Sequence, residues 1–169
     1  AAINAQHDRE PQLIQENLKK LDRQWIAAEK GDIFVFSRLN NSAASELKEY
    51  SKIFPDNVEV FVTDKYGGLV AATNRTSDYY QADEGWWQAA WNNGKGANYI
   101  GQPEYDESSK SFAINIAIPV YDADQIVGIL RTTYRLDNLI KTIDSIHLGE
   151  TGRAQLLLPG GQLIAADKK

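Results

Sequence analysis

Hydrophobic positions change their spacing twice along this chain, and the changes divide it. Between residues 11 and 30, Ile14, Leu18, Leu21, Trp25 and Ala28 recur at spacings of 4, 3, 4 and 3 on a segment otherwise rich in Gln, Glu, Lys, Asp and Arg. That is a narrow helical stripe, which either docks on a sheet or pairs with a copy of itself. Gly31-Asp32 predicts an interruption, with Asp32 as a fresh N-cap. Phe36, Leu39, Ala43, Leu47, Tyr50 and Phe54 then continue at spacings of 3, 4, 4, 3 and 4, until Pro55 ends the run. The N-terminal third is therefore expected to be helical.

After Pro55 the period falls to two. Residues 58–63 read Val-Glu-Val-Phe-Val-Thr, Asp64-Lys65-Tyr66-Gly67-Gly68 supplies turn chemistry, and residues 69–73 return as a second strand. A connection of about ten residues leads to a short helix predicted over residues 86–93, with Gly94 at its end. Residues 98–100 predict a third strand, and residues 102–110, polar and containing Pro103, a loop. In residues 112–121 the large side chains Phe112, Ile114, Ile116 and Ile118 share one face, and Ala113, Asn115 and Ala117 the other. The first face is expected to fill a core against helices, and the second to leave room for something else. Residues 122–125 are a turn, and residues 126–134 a partner strand in which Gly128 permits a close approach. Val127, Ile129, Arg131, Thr133 and Arg135 fall on one side of it, and a half-buried Arg131 needs an anionic partner from protein or ligand. Residues 136–147 predict a helix, with Leu136, Leu139, Ile140 and Ile143 as its apolar face.

Residues 154–166 then echo residues 60–72, strand, Gly-Gly turn and Leu-Val/Ile-Ala-Ala strand again. The expected organisation is N-terminal helices over 1–55, a sensing module over 56–147, and the opening hairpin of a second, truncated module over 148–169. A start without Met and a stop just after a strand suggest a piece of a longer protein.

Composition narrows the function. A net charge of −5 with no basic cluster argues against a nucleic-acid partner. The absence of cysteine excludes disulfides and thiol chemistry. No apolar run reaches 18 residues, so membrane contact is expected only through flanking segments absent here. His7 and His147 read as surface residues, no phosphate loop, nucleophile elbow or zinc-protease motif occurs, and Asp122/Asp124 and Asp106/Glu107 read as solvated acids. No enzyme activity, cofactor or metal is expected. The chemistry concentrates instead in residues 78–91, where Asp78, Asp83 and Glu84 accompany Tyr79, Tyr80, Trp86, Trp87 and Trp91. Flat aromatics with a few placed polar groups make small-ligand pocket walls.

Two N-terminal helices, Val60 to Ala71 reading Val-Phe-Val-Thr-Asp-Lys-Tyr-Gly-Gly-Leu-Val-Ala, Asp78-Tyr79-Tyr80, Trp86-Trp87-Gln88-Ala89-Ala90, Tyr105-Asp106-Glu107-Ser108, Ile118-Pro119-Val120 and Val127-Gly128-Ile129-Leu130 together resemble the Cache family of extracytoplasmic sensor domains. The resemblance covers residues 13–166. It implies an α+β, PAS-like fold: a central antiparallel sheet with a long N-terminal helix on one face and a ligand pocket on the other. It further implies small-molecule sensing outside the cytoplasm for a bacterial chemoreceptor, sensor kinase or cyclic-nucleotide signalling protein. In the motif of the family's amino-acid-binding members, the leading tyrosine resembles Tyr80, the Trp-Tyr pair falls on Trp86-Trp87, and the later tyrosine resembles Tyr105. Two charged anchors depart: the carboxylate-gripping arginine falls on Glu84, and the amine-binding aspartate on Thr133. That leaves Glu84 and Asp78 as partners for a cation, and Arg131 for an anion unless Glu84 or Asp106 neutralises it. Tyr80, Trp86, Trp87 and Tyr105 are expected to converge on a cavity beside Asn115. The expected ligand is an amine, an amino-acid-like compound or another small polar metabolite, with a homodimer through the N-terminal helix as a further expectation. The alternative is a dimerisation or protein-interaction module that binds no ligand.

Overall fold

The computed structural model describes residues 11–106, 111–150, 152–157, 161 and 163–166. The N-terminal stripe forms α1 (Pro11–Ala27), which buries Ile14, Leu18 and Trp25 in the chain's own core. Trp25 packs edge-on to Phe34, and its Nε1 donates to the carbonyl of Thr76 at 2.9 Å. Arg75 closes the end of the helix, its guanidinium donating to the carbonyls of Trp25 and Ala28. A cation bonded to terminal helix carbonyls satisfies acceptors that have no partner within the helix. So α1 is fastened to the connection that follows the first hairpin.

Asp32 caps α2 (Ile33–Leu39) as expected, its Oδ1 accepting from the backbone of Phe34 at 2.7 Å. The run that follows is broken, however. Asn41 starts a separate helix, α3 (Ser42–Ile53), accepting from the Ala44 N–H at 2.8 Å while its Nδ2 donates to the Val70 carbonyl. The break changes the phase of the apolar stripe. Val35 and Ala44 are the buried positions, whereas Phe36, Tyr50 and Phe54 are exposed.

The sheet is built from β1 (Asn57–Asp64), β2 (Leu69–Ala72), β3 (Tyr99–Ile100), β4 (Glu104–Asp106), β5 (Ser111–Asp122) and β6 (Gln125–Arg135). All pairings are antiparallel and the order is β2-β1-β6-β5-β3, with β4 also on β5. The loop expected over 102–110 thus contains a short strand. Pro103, which has no N–H to give a ladder, stands just before it. The β1–β2 turn is set by Asp64, whose Oδ1 accepts from the N–H groups of Tyr66 and Gly68, and by Gly67 at φ +87°. Gly128 lies opposite Asp64, and a Cβ there would come within 2.0 Å of the Thr63 carbonyl oxygen.

The aromatic helix is α4 (Gly85–Trp91); Asn92, Asn93 and Gly94 then take left-handed conformations that stop it. α5 (Asp137–Asp144) is shorter than expected, and Leu136, meant to open its apolar face, is buried just before it. His147 lies in a strand, β7 (His147–Leu148), paired with β8 (Gly152–Arg153), rather than at a helix end. The closing hairpin is β9 (Gln155–Leu157) with β10 (Leu163–Ala166), a two-stranded sheet separate from the six-stranded one. His7, Glu107, Ser108 and the Pro159-Gly160 turn lie outside the described residues, as do the side chains of Asp106 and His147.

The two faces of the sheet are filled in the reverse of the expected sense. The core gathers on the small-residue face, where Phe61, Ile129 and Ala117 are covered by Trp86, Trp87 and Ala90 of α4. The large-aliphatic face is only partly covered by α3. Leu47, Tyr50, Phe54, Ile116, Ile118 and Leu130 line an open apolar groove of about 660 Å³ there.

Candidate functional site

Under α4 the antiparallel register sets side chains in rows that cross the sheet. One row is polar: Glu59 of β1 lies opposite Thr133 of β6, which lies opposite Asn115 of β5. The next contains Phe61, Arg131, Ala117 and Tyr99, from β1, β6, β5 and β3. The third holds Thr63, Ile129 and Pro119. α4 lies above these rows and seals the third, since Trp87 Nε1 donates to Thr63 Oγ1 at 2.9 Å and its ring stacks on Trp91. The first two rows carry the polar chemistry.

Arg131 is the centre of that chemistry. Its guanidinium lies 5.1 Å from the centroid of Trp86 and 5.3 Å from that of Phe61, and those two rings meet edge-on at 5.7 Å. Cation–π attraction from two rings holds the group in place. Nη2 donates to Asn115 Oδ1 at 2.7 Å, and the same oxygen accepts from Thr133 Oγ1 at 3.0 Å. Nη1 faces Glu59 Oε2 at 3.8 Å, too far for a hydrogen bond. Nε is buried and has no hydrogen-bond partner among the described residues. Burial lowers the pKa of Arg131, while Glu59, Glu84, Asp78 and Tyr99 act against that shift. A guanidinium stays charged regardless. The result is a fixed cation, roofed by an indole, with an open donor and three carboxylates nearby.

The expected residues divide into those that gather at Arg131 and those that do not. Trp86, Asn115 and Thr133 touch this centre through the contacts above, and Glu84 and Asp78 act on it through their charge. Glu84 is exposed at the start of α4, and Asp78 is held by Gln81 and Ser77. Trp87 turns to Thr63 and Trp91. Tyr80 packs toward α1, where burial raises its pKa and a hydrogen bond with Gln15 opposes the rise. Tyr105 is 50 % exposed on β4, edge-on to Phe112. Asp106 lies in β4, its side chain outside the described residues.

Sequence reasoning missed Glu59, Phe61 and Tyr99. The first two were legible: an acid and a ring at alternate positions of Val-Glu-Val-Phe-Val-Thr must share a face. Tyr99 needed the β3–β5 register, which no local pattern supplies. Among the described residues no group of three or more His, Asp or Glu side chains is arranged to hold a metal ion. Chemically, the arrangement is suited to pairing with charged groups, hydrogen-bond acceptors and flat or cationic groups.

A family model described as Cache domain matches residues 4–169. The chain is 30 % identical over 95 residues to the methyl-accepting chemotaxis protein PscA of Pseudomonas syringae pv. tomato, covering 56 % of this chain and 15 % of PscA. It is 24 % identical over 152 residues to the methyl-accepting chemotaxis protein McpA of Bacillus subtilis, covering 89 % of this chain and 22 % of McpA. The chain thus spans less than a quarter of the length of either relative. Among solved structures it is similar to the ligand-binding domain of the amino acid chemoreceptor PctC of Pseudomonas aeruginosa PAO1 in complex with GABA. That match has a TM-score of 0.59 at 14 % identity and covers 92 % of this chain and 66 % of that one.

Proposed function

The chain belongs to the Cache domain family, and we propose that it is the extracytoplasmic sensory module of a bacterial transmembrane receptor, binding an amine or amino-acid-like metabolite at the Arg131 centre. The observation that carries this reading is the buried Nε of Arg131 beneath Trp86, which has no hydrogen-bond partner among the described residues. A buried donor without an acceptor is costly, and a ligand carboxylate or carbonyl would supply one. Glu84 and Asp78, with the face of Trp86, would receive the ligand's ammonium. The charges are exchanged relative to the family's amino-acid motif, with the carboxylate on β6 and the amine at the start of α4. PctC, a structural neighbour, is an amino acid chemoreceptor bound to GABA, which is a ligand of the same charge class.

A receptor for chemotaxis is the output that PscA and McpA favour. Residues 56–147 are the sensing module in this reading, and 148–169 the first hairpin of a second one. None of the described helices is long and apolar enough to cross a membrane. A homodimer through α1 would use its outward face, where Leu13 and Ile26 are exposed, because Ile14, Leu18 and Trp25 are already buried.

Titration calorimetry across amines, amino acids and dicarboxylates tests the ligand class. Binding of a zwitterion or amine that is weakened by Glu84→Gln and by Arg131→Lys supports it. Tight dicarboxylate binding that is indifferent to Glu84→Gln and lost in Arg131→Lys overturns it.

A further inference from the structure

Arg131 has a second cation on its own face of β6. Alternation along the strand puts Arg131, Thr133 and Arg135 on one side, and the regular register to β5 sets them opposite Ala117, Asn115 and Ala113. The strip beside the three is therefore walled by two methyl groups and one amide. Arg131 leans toward Arg135, since its Nη2 reaches Asn115 in the next row. One further two-residue step, about 7 Å, leads to the row of Arg135. Arg135 repeats the condition of Arg131: its Nε is buried and has no hydrogen-bond partner among the described residues. Asp137 Oδ2 stands 3.9 Å from that nitrogen, which supplies charge but no hydrogen bond. The side chain of Arg135 is 34 % exposed, so a solute can reach it. Buried donors are nearly always satisfied, and two exceptions on one face of one strand call for a common account.

We propose that Arg135 is a second ligand-anchoring residue of this site: it takes an acceptor oxygen at the far end of an amino-acid-like ligand whose near end is held at Arg131. The inference rests on the sensory reading above and narrows its ligand to an amino acid ending in a carboxamide or carboxylate rather than in an apolar group. The shared chemistry is a terminal carbonyl-type oxygen, which a guanidinium meets with the fixed fork of its N–H donors. Acids also line the strip: Glu59 in the row between the two arginines, Asp137 beside Arg135, and Glu104, exposed and opposite Ala113 on β4. None of them bonds the Nε of either arginine, so both donors stay available to a ligand. A terminal amide suits such mixed surroundings, with its carbonyl toward Arg135 and its N–H groups toward Asp137. A terminal carboxylate would take the same donor and gain more from the guanidinium charge, but would stand against Asp137.

Calorimetry with four probes tests this. L-Glutamine and L-glutamate carry the terminal acceptor, L-norleucine is a straight-chain amino acid without one, and glutarate has acceptors at both ends and no amine. Each is titrated into wild type, Arg135→Met and Arg135→Lys. Wild type should bind glutamine or glutamate at least about tenfold tighter than norleucine, and the tighter of the two names the acceptor as amide or carboxylate. Arg135→Met, which keeps an unbranched apolar stem, should erase that advantage while norleucine stays within about threefold of its wild-type affinity. Arg135→Lys keeps the charge without the planar fork, so it should retain only part of the advantage, and it replaces the Met variant should that one fold poorly. A merely structural arginine would move all probes alike. Equal loss of every probe in both variants overturns the proposal, as do amino acids that bind wild type with no preference for a terminal acceptor, although zwitterion binding at Arg131 then stands. Glutarate bound by wild type and lost in Arg135→Met supports the proposal even if no amino acid binds and the amine reading falls. Binding of none of the four overturns it.

Discussion

The side-chain oxygen Oδ1 of Asp22 accepts the backbone N–H of Tyr79 at 2.8 Å, across 57 positions of sequence. It accepts that of Tyr80 as well, at 3.0 Å. One carboxylate oxygen on α1 therefore holds two consecutive amides of the connection that carries Asp78 into the site. Replacing Asp22 by Ala strands both donors and should cost about 1–3 kcal/mol, whereas Asp22→Asn keeps an acceptor and should cost less. Urea unfolding of the two variants measures the difference. Equal losses would mean that charge, rather than the two hydrogen bonds, makes the attachment.

Trp86 and Trp87 should separate by function although they are adjacent. Trp86→Leu removes the roof over Arg131, so ligand-induced stabilisation should vanish while the chain still folds. Thr63→Val leaves the buried Nε1 of Trp87 without its acceptor, which should cost about 1–3 kcal/mol yet leave ligand affinity within a few-fold. Thermal melts with and without a ligand found by calorimetry distinguish the two, and a large loss of affinity in Thr63→Val would show that Trp87 also serves the ligand.

Gly128→Ala should be among the most damaging single substitutions in the sheet. The added methyl would meet the Thr63 carbonyl at 2.0 Å, a contact relieved only by parting β1 from β6. A loss of about 3 kcal/mol or more is expected. An unchanged denaturation midpoint would show that the two strands are less closely apposed.

Stability should fall at alkaline pH through Tyr79. Burial raises its phenol above the ordinary 10.0, and the hydrogen bond and charge of Arg38 only partly offset that. The folded chain therefore holds this proton when the unfolded chain has released it. The contribution is fully present below pH 10 and is lost as pH climbs through the folded value, at no more than about 1.4 kcal/mol per pH unit. Tyr80 shifts in the same direction, also through burial, but it is less deeply set. Tyr79→Phe should flatten the decline; an identical decline in that variant would assign it to other groups.

The strands were legible because alternation and turn residues are local: β1, β2, β5 and β6 all fall within a residue or two of the expected limits. The Asp32 cap was legible for the same reason. The phase of α2 and α3 was not, because Asn41 looks like a mid-helix polar residue until its side chain is seen bonded to both Ala44 and Val70. β4 was hidden by its polar residues, since an edge strand at the rim of a sheet has no apolar face to advertise it. In the site, Trp86, Asn115, Arg131 and Thr133 could be named from pattern. Tyr80 stood out in the same aromatic stretch and Tyr105 could be named only by resemblance, yet their rings turn to Gln15 and Phe112. That Glu59 shares a face with Phe61 was legible, but its place beside Arg131 and Thr133 needed cross-strand register, which depends on pairing between segments about seventy residues apart.

That same pairing bears on the order in which the molecule assembles. β1 is an interior strand of the sheet, flanked by β2 and β6, and its ladder to β6 joins residues 57–64 to residues 128–134. As the chain leaves the ribosome, the β1–β2 hairpin can close at once, but its other edge must wait for some sixty further residues. Trp86, Phe61 and the α1 stripe have no finished surface to settle on until then. The rate-limiting step of folding is therefore expected to be closure of this long-range ladder, whose loop entropy must be overcome before the contacts reward it. A nascent chain halted before Ile129 should remain open to protease, and one extended past Leu136 should become resistant.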